Sequence, residues 1–425
     1  MLTQAPRGTR DILPDEANNW VYLESKFRDI CRRFNYKEIR TPVFEHTELF
    51  QRGIGETTDI VEKEMYTFLD KSNRSITLKP EGTAPVARAY IEHKMYSLPL
   101  PMKLYYIIPG FRYERPQAGR LRQFHQFGIE SFGSQSPRID AEVMLLAMMF
   151  FKELGLDDID LHINSIGCER CRNNYKQALK AFLTQKKEMF CETCRSRLER
   201  NPLRVFDCKN ERCQQIINDT PIVLDYLCDE CKVHFNKVEN TLTTIGVNYI
   251  VDSRLVRGLD YYTKTVFEIV STELGAQSAI CGGGRYDNLV KECGGPETPA
   301  VGFGMGVERL INVLENKSLL KIQDQNIDVF VVLLDKEYEQ VGTKLLYELR
   351  EKGISAEIDY LDRSLRAQMK CADKLSAKYA VLIGAEEVES RFFTIKDLSK
   401  GSQESISFES IYDYLSNHLK EGFSL

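Results

Sequence analysis

The sequence predicts an α+β protein, and three features carry that expectation. Residues 111–133, "FRYERPQAGRLRQFHQFGIESFG", have the alternation and central turn residues of an antiparallel hairpin. Strand-like and helix-like segments alternate to about residue 165 and resume from about residue 249. A small α/β segment with a mixed sheet closes the chain beyond a polar linker at 315–326, "ENKSLLKIQDQN".

In chain order, "YKEIRTPVFE" reads as a strand broken at Pro42 and "SITLKPEGTAPVARAYIEHK" as a strand entering a helix. "MKLYYIIPGFRYER" reads as one long strand. "RIDAEVMLLAMMFFKEL" is an apolar-faced helix with an acidic first turn and Gly155 just beyond it. "IDLHINSIG" gives another strand. Residues 168–248 break this rhythm, being helical and rich in Cys, Lys and Arg, as an insertion would be. "NYIVDSRLVRGLDYYTKTVFEIVS", "AICGGGRYDNLV" and "PAVGFGMGVERLINVLEN" restore the earlier style. The last segment alternates "IDVFVVLL", a helix, "ISAEIDY", a basic helix, "YAVLIG" and "FFTIKDL".

With 425 residues, 43% apolar and 28% charged, the chain has room for two or three domains with real cores. It has no apolar run of roughly 18 residues and its start lacks a signal-peptide core, which predicts a cytoplasmic protein without membrane spans. A net charge of −5 excludes global attraction to nucleic acid, so any such binding needs a local basic patch. Arg363, Arg366, Lys370, Lys374 and Lys378 recur at helical spacing and form one candidate; a solvated helix face explains them equally well.

Eight of the 12 cysteines fall between Cys168 and Cys231. They form the C-x-x-C pairs Cys168/Cys171, Cys191/Cys194 and Cys228/Cys231 and the wider pair Cys208/Cys213. Paired thiolates in a reducing compartment suit tetrahedral zinc, with Cys191, Cys194, Cys208, Cys213, Cys228 and Cys231 as candidate ligands. The segment also has ordinary apolar patterning and is able to fold with its thiols reduced and unliganded.

In the hairpin, alternation puts Arg112 and Glu114 on one face of the first strand, and Gln126 and Glu130 on one face of the second with Gly128 between them. A guanidinium, an amide and two carboxylates around a glycine suit a nucleotide-and-amine pocket; the bland alternative is a solvated hairpin face. "PEGT" ends a strand and opens a helix, so Glu81 and Thr83 either serve a plain helix start or receive a cationic ligand group. "LVRGLDYY" sets Arg257 beside Gly258 and ahead of Tyr261 and Tyr262, as a partly buried cation with hydrogen-bonding walls would be. "CGGGRYDNL" lets backbone approach a ligand closely. "VGFGMGVERL" lacks the G-x-G-x-x-G order of a dinucleotide fingerprint and instead suits a nucleotide on a sheet with its terminal phosphate on Arg309. The chain contains no P-loop, H-E-x-x-H or G-x-S-x-G, which removes three common enzyme classes.

In their order along the chain these segments resemble the class II aminoacyl-tRNA synthetases and, within them, the histidyl-tRNA synthetase family. The likeness rests on "RGTRDILPDE", "RTPVFE" as the first class II motif, "FRYERPQAGRLRQFHQFGIE" as the second and "GFGMGVERL" as the third. "LVRGLDYYTKTVFEI" and "GGGRYDNL" are similar to two stretches peculiar to the histidine enzymes. The resemblance implies an antiparallel catalytic sheet flanked by helices (1–167 and 249–320), a helical insertion (168–248) and an anticodon-binding domain (327–425). It implies a homodimer formed in part around Pro42, with ATP, L-histidine and its tRNA as substrates and Mg²⁺ on the phosphates. It assigns Arg112, Arg309 and Glu114 to ATP, and Arg257 with Arg112 to catalysis. Glu81, Thr83 and Gln126 would receive the α-ammonium of histidine, Glu130 and Tyr262 its imidazole, with Tyr261 as a wall. Arg115, Gln117, Arg363, Arg366 and Lys370 are candidates for tRNA. A regulatory, non-catalytic paralogue would have lost part of this set or the final domain; here all of it is present.

Overall fold

The computed structural model describes residues 3–55, 58–117, 119–200, 202–208, 210–271, 279–320 and 326–420. The chain divides into two units, Met1–Lys321 and Ile322–Leu425.

The first unit opens with α1 (Pro14–Arg33), which has proline at its start, Asp15 and Glu16 in its first turn and Arg32 and Arg33 in its last. Its apolar stripe of Trp20, Leu23, Phe27 and Ile30 enters the main core. The break foreseen at Pro42 separates β1 (Lys37–Glu38) from β2 (Phe44–His46), and α2 (Thr47–Ile54) follows. β2 pairs with β4 (Ser75–Leu78), and β4 with β3 (Tyr66–Leu69), in a small three-stranded sheet that leads into α3 (Thr83–Glu92).

The large sheet then assembles from β5 (Met102–Phe111), β6 (Gln123–Phe132) and, after α4 (Pro137–Glu153), β7 (Ile159–Ser165). The insertion supplies α5 (Glu169–Gln185), α6 (Glu192–Arg200), α7 (Glu211–Ile217) and α8 (Asp229–Thr244). β8 (Ile250–Val251), β9 (Thr263–Ser271), β10 (Ala279–Arg285), α9 (Leu289–Glu292), β11 (Ala300–Gly306) and α10 (Val307–Asn316) complete the unit. The strand order is β1-β5-β6-β11-β10-β9-β7-β8. The outermost pairs β1–β5 and β7–β8 are parallel and all inner pairs antiparallel, so the expected antiparallel sheet carries a parallel strand at each edge.

One expectation for the hairpin needs correction. The first hairpin strand ends at Phe111, so Arg112 and Glu114 are not strand residues. The Arg112 N–H still donates to Arg122, but that of Tyr113 turns to Glu64, and the two arms part there. In the insertion, a satellite core of residues such as Leu179, Phe190, Leu198 and Val223 is separate from the main core. By contrast α8 buries Phe235, Val238 and Leu242 in the main core. Its His234 Nε2 lies 2.8 Å from Asp140 Oδ2, a buried carboxylate also paired with Arg285.

The second unit holds β12 (Val329–Leu333), α11 (Glu339–Glu351), β13 (Ala356–Ile358), α12 (Leu365–Lys374), β14 (Tyr379–Ile383) and α13 (Ala385–Ser390). β15 (Phe392–Asp397), β16 (Gln403–Ser407) and α14 (Ile411–Lys420) end it. Its sheet, β13-β12-β14-β15-β16, is parallel on one side and antiparallel on the other, the expected mixed sheet extended by β16. The expected basic stripe is shorter than its spacing suggested. Ser364 is the N-cap of α12, so Arg363 and Lys378 lie off the helix and pair with Asp359 and Asp328. Arg366, Lys370 and Lys374 remain on it, exposed.

Candidate active site

The large sheet has one core face and one face whose centre is glycine. Gln126, Gly128 and Glu130 of β6 stand opposite Gly306, Gly304 and Gly302 of β11. Gly304 and Gly302 stand opposite Gly282 and Gly284 of β10, and Gly282 opposite Glu268 of β9. Side chains alternate across a strand, so all of these share a face, while Phe127, Ile129, Phe303, Phe267 and Ile269 point into the main core. The glycines allow close approach: a Cβ on Gly302 would come within 2.2 Å of the Ile129 carbonyl oxygen, and those on Gly282 and Gly304 would displace the Arg257 guanidinium and the Gln126 amide.

Above this floor lies a cavity of about 290 Å³ lined by Arg112, Gln126, Arg257, Glu268, Gly282 and Arg309, among others. Three cations from distant parts of the chain thus meet around one space. Arg112 follows β5; its Nε donates to the Pro80 carbonyl at 2.8 Å and its guanidinium sits 5.4 Å from the Phe124 ring centre. Arg309 is on the first turn of α10 and donates to the Ala279 carbonyl at 2.8 Å. The preceding Glu308 accepts the His125 backbone N–H at 2.9 Å, fixing that turn to β6. Burial, then the neighbouring Arg120, pull Arg309 below the usual guanidinium pKa, as expected where cations crowd a space without enough anions.

Arg257 reaches in from the loop before β9 and pairs with Glu268, while its Nε is buried without a hydrogen-bond partner. Burial opposes its charge, but Glu268, with Tyr262 and Cys281 adding to it, holds its pKa above the ordinary value. Glu114 lines the same cavity and pairs with Arg120, with Arg112 Nη1 at 3.9 Å.

Beside these cations is a buried polar cluster. Glu130 is fully buried; its Oε1 accepts from Thr83 Oγ1 at 2.7 Å and Tyr106 OH at 3.1 Å, and its Oε2 from Tyr286 OH. Burial pushes its pKa up to about 8 although the Tyr286 and Thr83 hydroxyls oppose this. Glu81 accepts the backbone N–H groups of Thr83 at 2.6 Å and Ala84 at 2.8 Å, which is the plain helix-start role; burial raises its pKa. Gln126 Oε1 is buried without a partner. Tyr261 and Tyr262 are buried with ring centres 4.8 Å apart, and Tyr286 stacks edge-on at 5.5 Å from Tyr261. Arg115 and Gln117 are exposed in the hairpin loop, where Gln117 and Arg120 exchange backbone hydrogen bonds of 3.0 Å.

Sequence reasoning missed Tyr106, Tyr286, Glu268 and Arg120. Tyr106 is hidden in the apolar run "LYYII", and Tyr286 stands two residues beyond the glycine triplet of "CGGGRYDNL". Glu268 is the lone acid in "TVFEIV", a signal that alternation alone would have exposed.

The insertion's cysteines form two sets of four, which brings Cys168 and Cys171 in beside the six candidate ligands. Cys228 and Cys231 join Cys168 and Cys171, and Cys191 and Cys194 join Cys208 and Cys213. The chain folds back between the first and last pairs, a long-range closure that spacing does not reveal.

A family model described as histidyl-tRNA synthetase matches residues 8–310. The chain belongs to this family. An anticodon-binding-domain model matches residues 328–418. The histidine–tRNA ligase of Caldanaerobacter subterraneus subsp. tengcongensis is 53% identical over 417 residues, covering 98% of this chain and 100% of the relative. That of Clostridioides difficile is 50% identical over 420 residues, covering 99% and 100%. The apo histidyl-tRNA synthetase crystal structure from S. aureus is similar at TM-score 0.83 and 40% identity, covering 97% of this chain and 99% of that one. Among the described residues, no helix is long and apolar enough to cross a membrane.

Proposed function

We propose that this chain is a histidine–tRNA ligase whose two steps share the cavity above the glycine floor. In the first, a carboxylate oxygen of L-histidine bonds to the α-phosphorus of ATP and the bond to the β-phosphate oxygen breaks, giving histidyl-adenylate and pyrophosphate. In the second, a hydroxyl of the terminal tRNA ribose attacks the acyl carbon and AMP leaves. The observation that carries this reading is the convergence of Arg112, Arg257 and Arg309 on one cavity. A carboxylate and a triphosphate repel each other, so bringing them into line requires fixed cations on both.

In this reading Arg112 holds the α-phosphate and the carboxylate, and Arg309 the γ-phosphate. Arg257 meets the charge that builds on the α-phosphate during displacement. The unpaired Gln126 oxygen and the Glu81 and Thr83 oxygens receive the α-ammonium. Glu130 and Tyr262 take the imidazole nitrogens and Tyr261 closes the pocket. Mg²⁺ supplies charge neutralisation on the outgoing phosphates. The cavity carboxylates Glu114 and Glu268 are each paired with an arginine, so they suit Mg²⁺ only together with oxygens that ATP brings.

The exposed apolar residues Val43, Phe44, Phe68 and Leu69 near Pro42 favour a homodimer. Phe44→Asp is then expected to shift sedimentation toward the monomer; an unchanged dimer would remove this face from the interface. Arg115, Gln117, Arg366 and Lys370 stay candidates for tRNA contact, while Arg363 has its own carboxylate partner.

Histidine-dependent exchange of pyrophosphate into ATP tests the assignment, because a histidine-sensing regulator binds the amino acid without catalysing exchange. Deleting residues 327–425 is expected to spare exchange far more than tRNA charging. Equal loss of both in a folded, dimeric variant would contradict a tRNA-directed role for the second unit.

A further inference from the structure

All eight cysteines of the insertion fall into two tetrads, and within each the Sγ atoms lie within 4.8 Å of one another. Cys168 Sγ is 3.5 Å from Cys171 Sγ and 4.0 Å from Cys228 Sγ, and Cys191 Sγ is 3.8 Å from Cys208 Sγ. Four sulfurs around a tetrahedral ion with bonds of about 2.3 Å stand about 3.8 Å apart. A disulfide needs about 2.05 Å, and all eight thiols are free.

The surroundings favour thiolates. Backbone N–H groups point at sulfur: Cys228 N to Cys171 Sγ at 3.1 Å, Cys191 N to Cys213 Sγ at 3.4 Å and Asn210 N to Cys208 Sγ at 3.5 Å. Such donors offset the charge on coordinated sulfur and orient it. Each of the three C-x-x-C pairs also spans a helix start, at α5, α6 and α8.

We propose that the insertion carries two structural Zn²⁺ sites, an outer one on Cys168, Cys171, Cys228 and Cys231 and an inner one on Cys191, Cys194, Cys208 and Cys213. Each ion forms four Zn–S bonds as the thiol protons leave to solvent, with no change of oxidation state. The sites are nested. The outer one ties the point where the chain leaves β7 to the point where it returns in α8. The inner one staples a satellite core too small to be robust alone.

The outer site also adjoins the amino-acid pocket. Arg172, next to Cys171, donates to the Tyr262 carbonyl at 2.9 Å, and Glu230, next to Cys231, pairs with Lys264 at 2.9 Å. The outer ion would therefore fix the start of α5 against the segment carrying Tyr261 and Tyr262. Four thiolates in a tetrahedron suit zinc or a single iron. Zinc is the ion assigned here.

Elemental analysis of the full-length protein, purified without chelator from zinc-replete cells, tests this independently of any ligase activity. Two zinc ions per chain are expected, with release of both by a mercurial that titrates thiolates. Cys194→Ser and Cys231→Ser are each expected to leave one ion. Wild-type protein free of metal, iron in place of zinc, or C-x-x-C disulfides found by mass spectrometry would overturn the proposal. So would two zinc ions retained by both variants. If a variant fails to fold, the wild-type stoichiometry decides alone.

Discussion

Arg257→His is expected to lower histidine-dependent pyrophosphate exchange by about 10²- to 10³-fold, with changes of only a few-fold in the KM for ATP and histidine. The proposed contact strengthens as charge builds on the α-phosphate, so its loss falls on kcat. That range corresponds to about 3–4 kcal/mol of transition-state stabilisation, as other fixed donors of this kind supply. An imidazole in this position is shorter and lacks the forked set of donors that a guanidinium offers a phosphate. The loss has a rival explanation, the stranding of Glu268 without its partner. Arg257→His combined with Glu268→Gln separates the two: the double variant stays as slow as the single one if Arg257 acts on the phosphate. Recovery in the double variant, or normal turnover in the single one, would refute the role.

Glu130→Gln is expected to reduce kcat/KM for histidine about a hundredfold or more and to flatten its pH dependence. With its pKa near 8, Glu130 holds a proton at neutral pH before histidine binds. Free histidine has an imidazole pKa of about 6.5. Between these two values the bound pair shares the one proton that Glu130 already carries, whichever atom it resides on. Below about 6.5 binding must expel a proton, and above about 8 it must take one up. Histidine affinity should therefore peak between about 6.5 and 8 and decline on both sides. The alkaline limb disappears in Glu130→Gln. An alkaline limb that survives the substitution would assign it to another group.

The same shift has a stability consequence of opposite sign to an ordinary ion-paired acid. The native carboxyl keeps a proton that the unfolded chain releases above about 4.5. Its contribution is thus present below that pH and is lost as pH rises toward 8. Thermal melts of the unliganded protein should show this decline in the wild type and a shallower one in Glu130→Gln.

Much of this site was legible in sequence because strand alternation is a strict rule. Gln126, Gly128 and Glu130 fall on one face wherever that strand lies; the glycines of "VGFGMG" meet them in register, and Gly282 and Gly284 meet those glycines in turn. Arg112 lines the cavity for a different reason, since the chain leaves the strand before it and still delivers it there. What local pattern does not encode is pairing at long range. Nothing in the spacing of "CETC" and "CDEC" says which takes the partner "CERC", and nothing in "TVFEIV" says that Glu268 faces Arg257. The basic stripe failed because periodicity ignores caps: Ser364 starts the helix one residue after Arg363.

A structure of the protein with a non-hydrolysable histidyl-adenylate analogue tests the central claim most directly. The expected result is the adenylate phosphate between Arg112 and Arg257 above Gly282, with the imidazole between Glu130 and Tyr262. The analogue bound elsewhere, or with its phosphate beyond hydrogen-bond reach of both guanidinium groups, would contradict the account.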